Sequence, residues 1–338
     1  MKKIHPRHIT FVKYWSGIVF VILGFVVGIL YSSDLSEYIA RKIPSKSSIS
    51  GDKLVYIDPE LDTQKKPIKY VPFELKTSKR IFEEINIDKS VSLSVYVRNL
   101  DNGPWFGIRE NDSFAGIRSL KMPLFIAYLK WSEEEEELLD EKLTIKKISD
   151  SETDRIFIPR NRLKIEQSYS VRELLEEMMI NSSLTATETL LKNIPYSFLT
   201  KIDTDLWVFL PGEEDINDSI SLKEYSSFFR ILYNAAYLSP SSSQFALSLL
   251  TKSDFPDGIR KWVPPVFEIA NKFGEKIYTN SEGVKEYQLH DCGIVYYTPY
   301  PYIVCISAKS KNTEKLRYVL WETSRIVYEE ISESYPQN

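Results

Sequence analysis

The chain has 338 residues, 43% hydrophobic and 27% charged, a globular composition long enough for one large domain or two small ones. A net charge of −4 removes the basic bias expected of a nucleic-acid binder. Two cysteines, Cys292 and Cys305, and three histidines exclude a disulfide-rich scaffold and a multi-cysteine zinc site, so neither a metal nor a cofactor is expected.

Residues 1–13 carry Lys2, Lys3, Arg7 and Lys13, and residues 14–33, YWSGIVFVILGFVVGILYSS, carry no charge. About 20 apolar residues suffice to cross a bilayer core. The expectation is a single-pass anchor at 14–33 with a cytoplasmic N-terminus, because the cations precede it. A cleaved signal peptide is the alternative, but no A-x-A site follows and the apolar core is long. The protein is therefore expected at the cell membrane, with its main part extracytoplasmic. Residues 34–74, serine-rich and then proline-containing, read as an extended linker, and 75–335 as the folded domain.

Within that domain ELKTSKRIFEEI has helical spacing. VSLSVYVRN alternates and predicts a strand, and after the turn NLDNGPW the chain returns as WFGIREN, a hairpin. A helical block follows. SVRELLEEMMI and SLKEYSSFFRILYNAAYL each begin with a serine followed three residues later by glutamate, Ser170 with Glu173 and Ser221 with Glu224, the capping-box pattern. The run SEEEEELLDEK reads as a solvated helix end, since consecutive glutamates point around a helix rather than converging. KFGEKIYTN, YQLHDCGIVYYT and YIVCISAK predict three further strands. TEKLRYVLWETSRIVYEEI closes with Leu316, Leu320, Val327 and Ile331 at helical spacing. Strands at both ends of one domain can join a single antiparallel sheet flanked by helices.

Four texts in order, FAGIRSLKMPLFIAYL, YSVRELLEEMMINSSLTATETLL, VFEIANKFGE and HDCGIVYYTPYPYIVCISA, carry a resemblance. Over residues 76–333 the chain resembles the serine β-lactamase and penicillin-binding-protein superfamily, in its class A β-lactamase-like branch. The resemblance implies an α/β sandwich: an antiparallel sheet of about five strands flanked by helices, with a mostly helical subdomain. It also implies acyl transfer to a serine, through S-x-x-K at a helix start, S-D-N on a loop and K-T-G on a strand.

The motifs depart from that pattern. Aligned on Lys121 and Pro123, the nucleophile position holds Arg118, which is protonated and no nucleophile. Ser119 is a displaced candidate, though residues two apart on a helix point about 200° apart. The second motif reads Ser182-Ser183-Leu184 and keeps only its serine; the residue-level alternative is a helix-capping serine pair. The third reads Lys272-Phe273-Gly274, with phenylalanine replacing a carboxylate-binding threonine. No E-x-x-L-N text is recognised for the deacylating glutamate. The retained family positions are thus Lys121, Ser182 and Lys272. Arg118, Lys121, Lys272 and Gly274 form an expected ligand site for an anion such as a carboxylate-bearing cell-wall peptide or a β-lactam. The competing expectation is an internal salt bridge from Arg118 that plugs a dead site.

The expected function is a degenerate family member that binds or scaffolds at the cell envelope, with an active serine hydrolase using Ser119 or Ser182 as the alternative. His290 and Asp291 are adjacent on a strand and should point to opposite faces. Cys292 and Cys305 are expected as buried thiols on neighbouring strands, with a disulfide as the alternative.

Overall fold

The computed structural model describes residues 55–58, 73–85, 90–101, 103–115, 120–152, 155–158, 163–206, 219–279 and 283–337. The expected anchor at 14–33, most of the expected linker, and both Arg118 and Ser119 lie outside them. Among the described residues no helix is long and apolar enough to cross a membrane.

The domain is built on five antiparallel strands. The hairpin of β1 (Val91–Asn99) and β2 (Trp105–Ile108) joins three C-terminal strands, β7 (Ile269–Thr279), β8 (Lys285–Val295) and β9 (Tyr302–Ser310), in the order β2-β1-β9-β8-β7. The expected single sheet is therefore present, closed by pairing β1 with β9 over nine residue pairs. β7 lies at one edge. Alternation gives the sheet two buried faces. Tyr96, Cys292, Ile294 and Ile303 meet the helical subdomain, and Val95, Val97, Leu289 and Ile306 meet the terminal helices. Those are α1 (Phe73–Glu84) and α8 (Thr313–Ser334). α8 buries Leu316, Leu320, Val327 and Ile331, the stripe expected from the sequence.

The helical subdomain contains α2 (Lys121–Ser132), α3 (Val171–Ile180), α4 (Leu184–Asn193), α5 (Tyr196–Leu206), α6 (Leu222–Tyr233) and α7 (Pro240–Leu250). Two short ribbons accompany them: β3 (Ser113–Ala115) with β6 (Ser219–Ser221), and β4 (Lys142–Thr144) with β5 (Ser168–Ser170). Both expected capping boxes form, Ser170 with Glu173 before α3 and Ser221 with Glu224 before α6. The glutamate run after α2 is a turn of mostly exposed residues, as anticipated.

One piece of the expected linker is docked. Ile57 is 7% exposed within the helical core, the Asp58 amide donates to Tyr233 O at 2.8 Å, and the Tyr296 hydroxyl donates to Tyr56 O at 3.0 Å. An apolar residue flanked by backbone groups with partners is held by burial and hydrogen bonding together.

Candidate active site

α2 is apolar around its whole circumference: every residue from Lys121 to Leu129 is buried. Pro123 is tolerated because it lies in the first turn, where an N–H has no intrahelical partner. A lysine in such a helix must find acceptors. Lys121 Nζ donates to the carbonyl of Ser182 at 2.8 Å and to its hydroxyl at 2.6 Å. Ser182 is 1% exposed and has φ of +55°, the left-handed region that a residue with a Cβ adopts at a cost.

The expected serine capping pair is split. Ser183 is the N-cap of α4 and accepts from the Ala186 amide, whereas Ser182 turns to Lys121. Leu184 opens α4 and is 2% exposed, an apolar side chain where the family pattern has an amide. A second acceptor serves the same helix end: Glu152 Oε2 accepts from the Leu184 and Thr185 amides at 2.9 and 2.8 Å. A carboxylate is favoured there by the unpaired N–H groups and the helix dipole.

On β7, Lys272 pairs in register with Cys292 and Gly274 with His290. Lys272 is fully buried, and its ammonium lies 4.5 Å from the centroid of the Phe273 ring. Phe273 takes the opposite face, stacked on Phe255 at 4.4 Å between centroids and met edge-on by Phe157 at 5.3 Å. It is therefore a core residue against the terminal helices.

The Ser182 segment and β7 are tied together by Arg155. Its guanidinium donates to Asn181 O at 3.2 Å, to Glu152 Oε1 at 3.0 Å and to Glu275 Oε1 at 2.9 Å. The side chain is 1% exposed. The sequence contains no motif around Arg155, Glu152 or Glu275. The one available signal was the position of Glu275 directly after Lys272-Phe273-Gly274.

His290 and Asp291 do point apart. His290 meets the Tyr225 ring edge-on, with centroids 5.7 Å apart. Asp291 accepts from Asn271 Nδ2 at 2.9 Å and from the Ile259 amide at 2.9 Å. Burial pushes its carboxyl up to about 6, against the lowering effects of these hydrogen bonds and of Arg260 and Lys272. Cys292 and Cys305 lie directly opposite across β8 and β9 with Cα atoms 3.9 Å apart, and the structure pairs them as a disulfide rather than as two thiols.

The structure thus joins Lys121 to Ser182 and places Lys272 and Gly274 on β7, while Arg118 and Ser119 fall outside the described residues. Glu213 to Asn217 read E-E-D-I-N, an E-x-x-L-N text with isoleucine for leucine. A strict pattern passes over it, and it too lies outside the described residues. Among the described residues no cluster of histidine, cysteine or carboxylate side chains could hold a metal ion.

A family model described as the Beta-lactamase enzyme family matches residues 76–331. None of the curated proteins compared matches the chain. Among solved structures, PBP-A is similar at 18% identity and a TM-score of 0.61, with 76% of this chain and 96% of that one covered. A β-lactamase from Chitinophaga pinensis is similar at 18% identity and a TM-score of 0.63, covering 75% and 98%. A class A β-lactamase representative from Bacteroides cellulosilyticus gives 15% identity and a TM-score of 0.63, covering 78% and 100%. At these identities the structural likenesses speak for the fold alone.

Proposed function

We propose, from the premise that the chain belongs to the beta-lactamase enzyme family, that it is a catalytically degenerate member. Its role is to bind a carboxylate-bearing ligand, such as a cell-wall peptide or a β-lactam, at the cell envelope. The observation that carries the reading is the Lys121–Ser182 contact. It supports the motif alignment, and that alignment puts Arg118, not serine, three residues before the lysine. A protonated guanidinium cannot attack a carbonyl. Removing the nucleophile from a catalytic set abolishes most of its chemical rate.

Two further departures agree. Leu184 offers no hydrogen bond where the family pattern has an amide, and Phe273 is committed to the core. In this reading the cations Arg118, Lys121 and Lys272 serve to hold an anion. Residues 14–33 anchor the domain to the membrane, with the N-terminus cytoplasmic. The disulfide between Cys292 and Cys305 supports an oxidising, extracytoplasmic location.

The second reading, an active serine hydrolase, is favoured by the 2.6 Å contact between Lys121 Nζ and Ser182 Oγ, because a lysine beside a serine hydroxyl can serve as its base. Ser119 is the other candidate nucleophile. Incubation of the full-length protein with a fluorescent penicillin separates the two readings. The degenerate reading expects no covalent adduct, together with saturable binding of a carboxylate-terminated stem peptide by calorimetry. An adduct abolished by Ser119→Ala or Ser182→Ala would establish the hydrolase instead, and absence of peptide binding would remove the ligand site.

A further inference from the structure

The loop that leads into β7 presents an apolar tip to water. Residues 262–267 read W-V-P-P-V-F, a run without a polar side chain between Lys261 and Glu268. The Phe267 amide donates to Pro264 O at 3.0 Å, which closes a turn with Pro265 and Val266 at its two central positions. Proline suits the first of these. The second, where turns usually carry glycine, asparagine, aspartate or serine, holds Val266, which is 79% exposed. Trp262, two residues before the turn, is 50% exposed. A single exposed apolar side chain is ordinary, but a turn with a wholly apolar exposed tip marks a contact surface.

The tip is clamped on both sides. Val263 before it is buried in the core, and the Phe267 ring after it packs on Tyr297 with centroids 5.0 Å apart. Tyr297 is met edge-on by Tyr328 of α8. The place of the tip in the domain says what covers it. The Tyr296 amide donates to Glu268 O at 3.0 Å, and the Tyr56 ring lies 5.3 Å from that of Tyr296. The chain therefore enters the described domain, at Val55 and Tyr56, at the same end of the sheet as the tip. Residues 34–54 join that entry to the proposed membrane anchor, and a segment of that length spans at most about 75 Å. A contact made at the end of a tether is intramolecular, so a small apolar tip suffices. Tryptophan is enriched at membrane–water interfaces. The exposed Lys261 and Glu268 flank the tip with opposite charges, which suits a zwitterionic surface rather than an anionic one.

We infer that the 262–267 turn dips into the surface of a lipid bilayer, with Pro265 and Val266 reaching the upper acyl chains and Trp262 at headgroup level. This end of the sheet then meets the membrane. The inference rests on the proposed membrane anchor for bringing the domain to the bilayer, and on no reading of the cleft.

Trp262 is its own reporter. The full-length protein and its Trp262→Phe variant are reconstituted in phosphatidylcholine vesicles, with and without bromine on the acyl chains near the headgroup. The difference between the two proteins' emission spectra isolates Trp262 from the other tryptophans. An interfacial apolar group lies about 5–10 Å into the headgroup–acyl boundary, so the Trp262 emission is expected to fall by about half or more in the brominated vesicles. In a Val266→Asp background, which charges the tip, that emission should be retained. Equal Trp262 emission in both kinds of vesicle overturns the inference, and so does quenching that Val266→Asp leaves unchanged. Protection of Trp262 from an aqueous quencher without quenching by the lipid would assign the tip to a second copy of the chain or another protein, and likewise overturns it. Resistance of the same vesicles to an alkaline carbonate wash reports the anchor separately, and penicillin and peptide binding report the cleft. A failure of the tip and a failure of the proposed function are thus told apart.

Discussion

Gly274 and His290 face each other across β7 and β8 so closely that a Cβ built on Gly274 would run into the imidazole ring. The ring cannot simply swing away, because it is 4% exposed and packed edge-on against Tyr225. Gly274 reads in the sequence as a family binding position; the structure adds a packing reason for it. Gly274→Ala is expected to destabilise the protein by about 1–3 kcal/mol, the usual cost of overpacking. Chemical denaturation measures this. In Gly274→Ala/His290→Ala the loss should be less than the sum of the single losses, because the two sites share one contact.

Ser182 combines a hydrogen bond to Lys121 with a positive φ, and two substitutions separate these contributions. Ser182→Ala and Ser182→Gly both remove the hydroxyl that receives the buried ammonium. Only glycine relaxes in the left-handed region. Ser182→Gly should therefore be the more stable of the two, by about 1 kcal/mol, in a urea titration. Equal stabilities would mean that the backbone at Ser182 is not held in this conformation in solution.

Restoring threonine in the third motif should not restore a carboxylate-binding hydroxyl. Phe273 points to the sheet face opposite Gly274, into the contact with Phe157 and Phe255. Phe273→Thr exchanges a buried ring for a smaller side chain bearing a hydroxyl. It is expected to cost about 3 kcal/mol or more of stability with no gain in penicillin affinity. Denaturation midpoints and penicillin titration check the two halves.

Asp291 makes stability depend on pH in the sense opposite to an ordinary ion-paired carboxylate. Its carboxyl titrates at about 6 in the folded protein, pushed up by burial from the ordinary aspartate value of 3.8. Between those values the folded state binds more protons than the unfolded one. Stability from this group is thus lost as pH rises from about 4 to about 6, and stays constant above. The size is roughly 2–3 kcal/mol at most. Glu84, held below its usual range by hydrogen bonding to Arg80, acts the other way at lower pH. The readout is therefore the difference between wild type and Asp291→Asn from pH 3.5 to 7. The wild type should lose stability relative to the variant across that window, and a flat difference would refute the assignment.

Local pattern was enough for much of this protein. The alternation of VSLSVYVRN, the two capping boxes and the apolar stripe of α8 are short-range signals. Burial of one face and satisfaction of helix-end N–H groups dictate them whatever the rest of the chain does. The order of the four motif texts carried the family, and the opposite orientations of His290 and Asp291 followed from strand geometry alone.

Tertiary structure decided the rest, because it depends on which distant segments meet. Nothing within a few residues of Ser182 says that it will face Lys121, 61 positions away, rather than cap α4 beside Ser183. Nothing near Arg155 says that it will lie buried against Glu275, 120 positions on. Phe273 could be assigned to core or cleft only once the register of β7 on β8 was fixed, since a shift of one residue exchanges the two faces. Sequence pattern encodes which side of an element is apolar; only packing in three dimensions chooses the partner for a buried charge, because its cost is met by whichever distant donor or acceptor the fold delivers.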